Sequence, residues 1–230
     1  MAGMIQALAS PTTGESGELR FSIPGVDWEG YEALLKIVGD RATIRVTYDR
    51  GFVELMSPLY KHDRYGNLLG RMVETITEEL GLPLAASGST TFRRKILDRG
   101  LEADESYYLE NAHRLPRDGE IDLEVIPPPD LAIEVEITNS ILKRLDIYAA
   151  LGVPEIWRFD GETLAVLLLG PEGAYAPSLK SRAFPFLPMV EIVRFLVEHV
   201  PGEDTPWARS FRAWVRDVLL PLHRDPADPE

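Results

Sequence analysis

Asp130-Leu131-Ala132-Ile133-Glu134-Val135-Glu136-Ile137 is the stretch on which the fold turns. It is an apolar, β-branched run with acids at alternate places near its end, which is the pattern of a strand. Strand side chains alternate, so Ala132, Glu134 and Glu136 share one face, while Leu131, Ile133, Val135 and Ile137 share the other. Two carboxylates therefore project together from a strand that is otherwise core material. Enclosed, such a pair must share a cation or a proton. A hard divalent ion with oxygen ligands is the natural occupant. Turned to water, the same face is two solvated glutamates, and the strand alone leaves both readings open.

The flanks frame this strand. Pro127-Pro128-Pro129 stiffens its entry. After it, Asn139–Leu151 reads as a helix with Ile141, Leu145, Tyr148 and Ala149 inward, closed by Gly152 and Pro154. That helix is expected to cover Ile133, Val135 and Ile137. Glu155–Phe159 and Thr163–Leu169 around Asp160-Gly161-Glu162 predict a hairpin, and Val190–Val200 and Trp207–Leu220 predict C-terminal helices.

Upstream, Val26–Val38 predicts a short amphipathic helix on Trp28, Tyr31, Leu34 and Leu35. Ala42–Tyr48 and Phe52–Met56 form a hairpin about Asp49-Arg50-Gly51. His62–Leu80 is helical through Leu68, Leu69, Met72, Val73, Ile76 and Leu80, and ends at Gly81 and Pro83. Leu84–Ser87 and Thr90–Ile96 look like strands around Gly88, and Leu97–Asp122 reads as acidic and irregular. The order of elements predicts an α/β or α+β fold, a mixed sheet flanked by helices. Residues 1–17 read as a loose tail and 18–225 as a single domain.

Composition sets limits on function. The chain has 230 residues, enough for one sizeable core, and its 45% hydrophobic and 27% charged content is ordinary for a globular protein. Its longest apolar runs are too short to span a bilayer, and no secretory signal opens it, so a cytoplasmic location is expected. With no cysteine and only four histidines, thiolate metal sites, disulfides and zinc are disfavoured. Neither a Gly-rich nucleotide loop nor a Gly-x-Ser-x-Gly elbow occurs. The net charge of −13 argues against nonspecific coating of nucleic acid, so any such contact must come from local basic clusters. Arg93-Arg94-Lys95 is the best of these, and alternation would place Arg93 and Lys95 on one strand face. Phosphate contact and ion pairing with nearby acids are equally open for them.

Between Leu101 and Glu136 there are eleven acids and only two bases, Arg114 and Arg117. Such density must spread into water or gather on a cation. Within it, Asp104 precedes two aromatics in Gly100-Leu-Glu-Ala-Asp-Glu-Ser-Tyr-Tyr108. That motif is followed in order by Pro128-Pro-Asp-Leu-x-Ile-Glu-Val-x-Ile-Thr138 and Leu145-x-Ile-Tyr-Ala-Ala-Leu-Gly-Val-Pro-Glu-x-Trp157. From about Glu54 to Leu169 the chain resembles the Uma-two (Uma2) family, restriction-endonuclease-like members of the PD-(D/E)XK nuclease superfamily.

The resemblance implies a four-stranded mixed sheet flanked by helices, with Asp104 as first acidic ligand and Glu134 as second. It implies Mg²⁺ or Mn²⁺ as cofactor and DNA as substrate, and a homodimer stays open. Two departures stand out. Ala103 replaces the proline usual before the aspartate, and Glu136 replaces the superfamily lysine. Related sequences place a lysine just before Leu-x-Ile-Tyr, where this chain has Arg144 with Lys143 beside it. Arginine offsets phosphate charge but does not act as a base. His62 stands where the family often carries a histidine, able to hold a carboxylate or approach substrate. On this reading Asp104, Glu134 and Glu136 converge on one ion, with Lys143 or Arg144 facing it. The alternative is a non-catalytic interaction or regulatory protein that kept the fold.

Overall fold

The computed structural model describes residues 12–13, 19–39, 44–118, 121–136 and 142–223. Ile137, the start of the Ala42 strand, the start of the Asn139 helix and most of Met1–Gly17 lie outside them. The chain begins with a short pair, β1 (Thr12–Thr13) against β2 (Leu19–Pro24). Helix α1 (Trp28–Val38) follows, its first turn capped by the Asp27 carboxylate, which accepts from Gly30 N at 2.8 Å. The expected hairpin is β3 (Arg45–Asp49) and β4 (Phe52–Ser57). Arg50 and Gly51 turn it with φ of 45° and 90°, the left-handed pair that a two-residue hairpin requires.

Next come α2 (Tyr60–Leu80), β5 (Ala85–Ala86), β6 (Thr91–Arg94), β7 (Arg99–Glu102), β8 (Glu105–Tyr108) and β9 (Leu131–Val135). The remainder is α3 (Arg144–Leu151), β10 (Glu155–Phe159), β11 (Leu164–Leu169), β12 (Tyr175–Ser178), α4 (Met189–Val197) and α5 (Asp204–Trp214). The chain then continues helically to His223 through a π-helical stretch at Val215–Leu219.

Two six-stranded sheets result. The first, in order β1-β2-β4-β3-β7-β6, is antiparallel throughout. The second, β12-β11-β10-β9-β8-β5, is mixed, because β9 and β10 run parallel across the α3 crossover. Its six strands exceed the four expected. The stretch Leu97–Asp122, expected to be irregular, contains β7 and β8. Their acids masked two short strands whose Leu101, Tyr107 and Tyr108 are fully buried. The two strands around Gly88 join different sheets, and Lys95 sits in a 3₁₀ turn (Lys95–Leu97) rather than on a strand face.

The strand at the centre of the second sheet is β9, but its faces are covered differently from the expectation. Leu131, Ile133 and Val135 pack on the α2 stripe of Leu68, Leu69, Met72, Val73 and Ile76, with Trp207 and Phe211 of α5 in the same core. Helix α3 lies on the opposite, acid-bearing face, where Ile147, Tyr148 and Leu151 meet Ala132, Phe92 and Leu101. The long α2 stripe matches the fully apolar face. The short α3 carries Arg144 and Tyr148 one turn apart, and their polar ends need the carboxylate on the other face. Helix α1 closes the far side of the first sheet with Tyr31, stacked on Tyr48 at 4.6 Å between ring centroids.

Candidate active site

β7 belongs to the first sheet and β8 to the second, so the chain changes sheets at Ala103-Asp104. This corner aims Asp104 at the edge of β9. Its Oδ2 accepts from Val135 N at 2.7 Å, continuing the β8–β9 ladder with a side chain in place of a carbonyl. His62, in the first turn of α2, sets its Nε2 3.3 Å from the same oxygen, and both side chains are buried. Arg45 of β3 brings its Nε to 3.9 Å from Asp104 Oδ1. One turn further along α2 than Gly66, Gly70 permits this approach of helix to strand. A Cβ there would stand 2.7 Å from the Tyr107 hydroxyl.

Glu134 is held from α3. Arg144 donates to it twice, Nε to Oε2 at 2.9 Å and Nη2 to Oε1 at 2.6 Å, the planar fork that suits a carboxylate. The Tyr148 hydroxyl, four residues on, donates to Oε1 as well. Arg144 also reaches the first sheet, with Nη1 to Thr47 Oγ1 at 2.6 Å and Nη2 to the Glu102 carbonyl at 2.7 Å. Alternation on β3 explains this bridge. Val46 and Tyr48 face α1, which leaves Arg45 and Thr47 facing the acids.

The electrostatics are those of crowded, dry acids. Burial first, and then the neighbouring Glu134 charge, push the Asp104 carboxyl up to about 8, against the pull of Arg144, the Val135 N–H and Arg45. Burial raises Glu102 too, opposed by Arg45. Glu105 is pushed up to about 7 by burial and then by Glu74 and Asp104. Desolvation of Arg144 works against its charge, but Glu134 outweighs it and holds the guanidinium protonated.

The other expected site residues divide between the cavity beside Glu134, where Glu136 and Lys143 lie, and the α1 face of the first sheet, where Arg93 and Lys95 lie. Glu136 turns to Arg158, Oε2 to Nη1 at 3.5 Å, and both side chains are partly exposed. Among the described residues, no three acids or histidines gather as a metal-ligand group. Lys143 is exposed just before α3 and lines a cavity of about 280 Å³ together with Glu134, Glu136, Arg144 and Arg158. Arg93 and Lys95 pair instead with Glu32 at 3.0 Å and Glu29 at 3.2 Å of α1. That is the face of the first sheet opposite Arg45 and Thr47.

Sequence reasoning missed Arg45, Thr47, Glu102 and the role of Tyr148. Only Tyr148 carried a signal, its spacing of four from Arg144. Two motif acids prove structural. Asp130 ties down the turn after β8, accepting from Leu109 N at 2.7 Å and Asn111 N at 3.0 Å. Glu155, fully buried, accepts from Trp157 Nε1 at 2.6 Å, Arg182 N at 2.7 Å and Ala183 N at 2.8 Å.

With this geometry in hand, the class is a mixed α/β fold with a buried acidic centre between two sheets. The family described as Uma2, "putative restriction endonuclease", matches residues 28–194. That span is most of the chain, and the chain belongs to the Uma2 family. A crystal structure described as a "putative nuclease" from Anabaena variabilis ATCC 29413 is similar, with a TM-score of 0.47 and 18% identity, over 66% of this chain and 90% of that one. Among curated proteins none matches. No helix among the described residues is long and apolar enough to cross a membrane.

Proposed function

We propose that this protein hydrolyses phosphodiester bonds in DNA with the help of a divalent ion, Mg²⁺ or Mn²⁺, held by Asp104 and Glu134. The observation that carries this reading is the meeting of two buried carboxylates from separate elements, one of them pushed up by burial and by the other. Such a pair invites a shared cation.

The donor set fits a hard ion. Asp104 uses Oδ2 for the Val135 N–H, and among the described residues its Oδ1 has the distant Arg45. Glu134 receives bonds from two Arg144 nitrogens and from Tyr148, three of the roughly four acceptor positions of a carboxylate. Magnesium commonly takes one or two protein carboxylates and fills the rest with water and substrate oxygens. When bound, the ion supplies an activated water and neutralises charge on the attacked phosphate.

The chain's own residues do the positioning. Arg144 and Tyr148 fix the Glu134 carboxylate. His62 and the Val135 N–H fix Asp104. Apolar packing by Ala132, Ile147 and Leu151 excludes water from the inner side. Arg144 stays protonated and so offsets charge without taking a proton.

One observation favours the second reading, a non-catalytic interaction or regulatory member. Arg144 already neutralises Glu134 without any metal. Thermal unfolding of the full chain against Mg²⁺ and Mn²⁺, beside plasmid cleavage, separates the two. The catalytic reading expects a midpoint that rises with ion concentration, since an ion bound only by the folded state stabilises it, together with cleavage lost in Glu134→Gln and Asp104→Asn. A flat midpoint and an inert wild type would leave the second reading standing.

A further inference from the structure

Arg144 stands nearest Glu134, yet all three of its guanidinium nitrogens are already donating, to Glu134, Thr47 and the Glu102 carbonyl. Four of its five N–H groups are thereby used, so a phosphate entering the cavity beside Glu134 meets mainly other cations. Two line the same cavity, Lys143 and Arg158. Lys143 makes no ion pair with a described residue. Arg158 lies on β10 directly across the parallel pairing from Glu134. Among the described residues its ion pair is with Glu136 at 3.5 Å, with the two side chains 42% and 33% exposed.

That contact is longer than the pairs made by several other arginines. Arg194, Arg212 and Arg216 hold carboxylates at 2.7, 2.9 and 3.0 Å, and Arg93 holds Glu32 at 3.0 Å. An exposed pair at such range contributes little and exchanges readily. A guanidinium meets a phosphate with a bidentate fork, which is shorter and stronger. In a chain of net charge −13, a polyanion can settle only where a local cation is free to receive it.

We infer that Arg158, with Lys143, forms a phosphate subsite at the mouth of this cavity, and that Glu136 is the counter-ion the phosphate displaces. Glu136 is then a tether for Arg158, not a third metal ligand. The subsite deepens the nuclease reading and rests on it for the identity of the anion, a phosphate of a nucleic-acid strand.

The test uses the full chain and a fluorescein-labelled DNA duplex in EDTA, so that binding is read without cleavage. Anisotropy titrations are run over a series of salt concentrations. Arg158→Ala is expected to weaken binding about fivefold to tenfold and to lower the slope of log affinity against log salt by about one. Arg158→Lys should keep the slope and lose part of the affinity. Glu136→Gln should tighten binding in the wild-type background and change nothing when Arg158 is already alanine. Circular dichroism and the urea midpoint check that each variant is folded.

Unchanged affinity and slope in Arg158→Ala overturn the subsite, as does a wild type that fails to bind at low salt. Loss of metal-dependent cleavage in Glu136→Gln with metal affinity lost as well returns Glu136 to the ligand set and overturns its role as tether. The two readings fail separately. A wild type that cleaves nothing yet shows these binding shifts ends the hydrolytic reading and keeps the subsite. A wild type that cleaves DNA while Arg158→Ala binds and cleaves equally keeps the nuclease and ends the subsite.

Discussion

Glu134 and Glu155 sit on neighbouring parallel strands, both are buried, and they do opposite things. Glu155 accepts from the indole N–H of Trp157 on its own strand and from two backbone N–H groups at Arg182-Ala183, so it ties that loop to β10. Glu134 is held by a cationic side chain and a hydroxyl, and beside it lies Asp104, a second acid raised by burial and by that neighbour. A buried carboxylate satisfied by neutral backbone donors belongs to the architecture. One that faces another carboxylate stores an electrostatic cost that a ligand can relieve, which is the ground for the chemistry proposed above.

The sharpest way to break this contrast is Glu155→Ala. It leaves three donors without their acceptor in a site with no solvent, which should cost about 3 to 5 kcal/mol. Urea unfolding reads the loss, and cleavage per folded molecule should be retained. A midpoint near wild type would mean that the loop at Arg182-Ala183 finds other acceptors, and that Glu155 is no more structural than Glu134.

Glu134→Gln comes next. Charge repulsion alone predicts that removing one acid would stabilise the metal-free protein. The geometry predicts the reverse, because the largely desolvated Arg144 is left with a neutral partner that accepts only one prong of its fork. A loss of about 2 kcal/mol is expected, alongside a fall in cleavage of about 100-fold or more. A stabilised variant would show that Arg144 turns elsewhere when released.

Asp104→Asn should differ in sign from Glu134→Gln. The Asp104 carboxyl is raised to about 8 in the folded protein, whereas an unfolded aspartate titrates near 4. Between those values the folded state holds a proton that the unfolded state does not. Stability in metal-free buffer is therefore greatest below about pH 4 as far as this group is concerned, and falls as pH rises toward and through 8. Glu105, raised to about 7, adds to the same trend. The asparagine variant should match or exceed wild-type stability at pH 8 and show a shallower decline from pH 5 to 9 by chemical denaturation. An equally steep decline would place the titration outside Asp104.

How much of this was legible in the sequence depends on the range of the interaction. Strand β9 and its alternating faces could be read because the signal is local and strict. Asp104 could be read only through its ordered motif, since β7 and β8 are four residues each and rich in acid, which looks like loop. Which helix covers which face could not be read, because α2 and α3 both offer apolar surface. Arg45 and Thr47 reach the site from β3, and Thr47 lies 97 residues from Arg144 in the chain. No local pattern announces such a partner. The basic run at Arg93 was legible as a cluster, but its counter-charges on α1 belong to tertiary structure.

That run yields the smallest expected effect. Lys95 pairs with Glu29 at 3.2 Å, with side chains 69% and 74% exposed. Both ends are in water, so the pair is screened and its formation restricts two long side chains for little gain. Lys95→Ala should change stability by less than about 0.5 kcal/mol. It should also leave cleavage and DNA binding as they were. The reason is placement: α1 covers the Tyr48 face of the first sheet, while Arg45 and Thr47 of the same strand face Asp104 and Arg144. A polyanion seated at Glu134 meets Lys143 and Arg158 from the α3 side. Lys95 presents its charge across the sheet, beside Glu32, Asp122 and Glu124, in a cavity of mixed sign. A clear loss of DNA affinity in Lys95→Ala, with a reduced salt slope, would show that the strand of nucleic acid wraps past the edge of β6 onto the α1 face. The separation of the molecule into one face for chemistry and one for folding would then no longer hold.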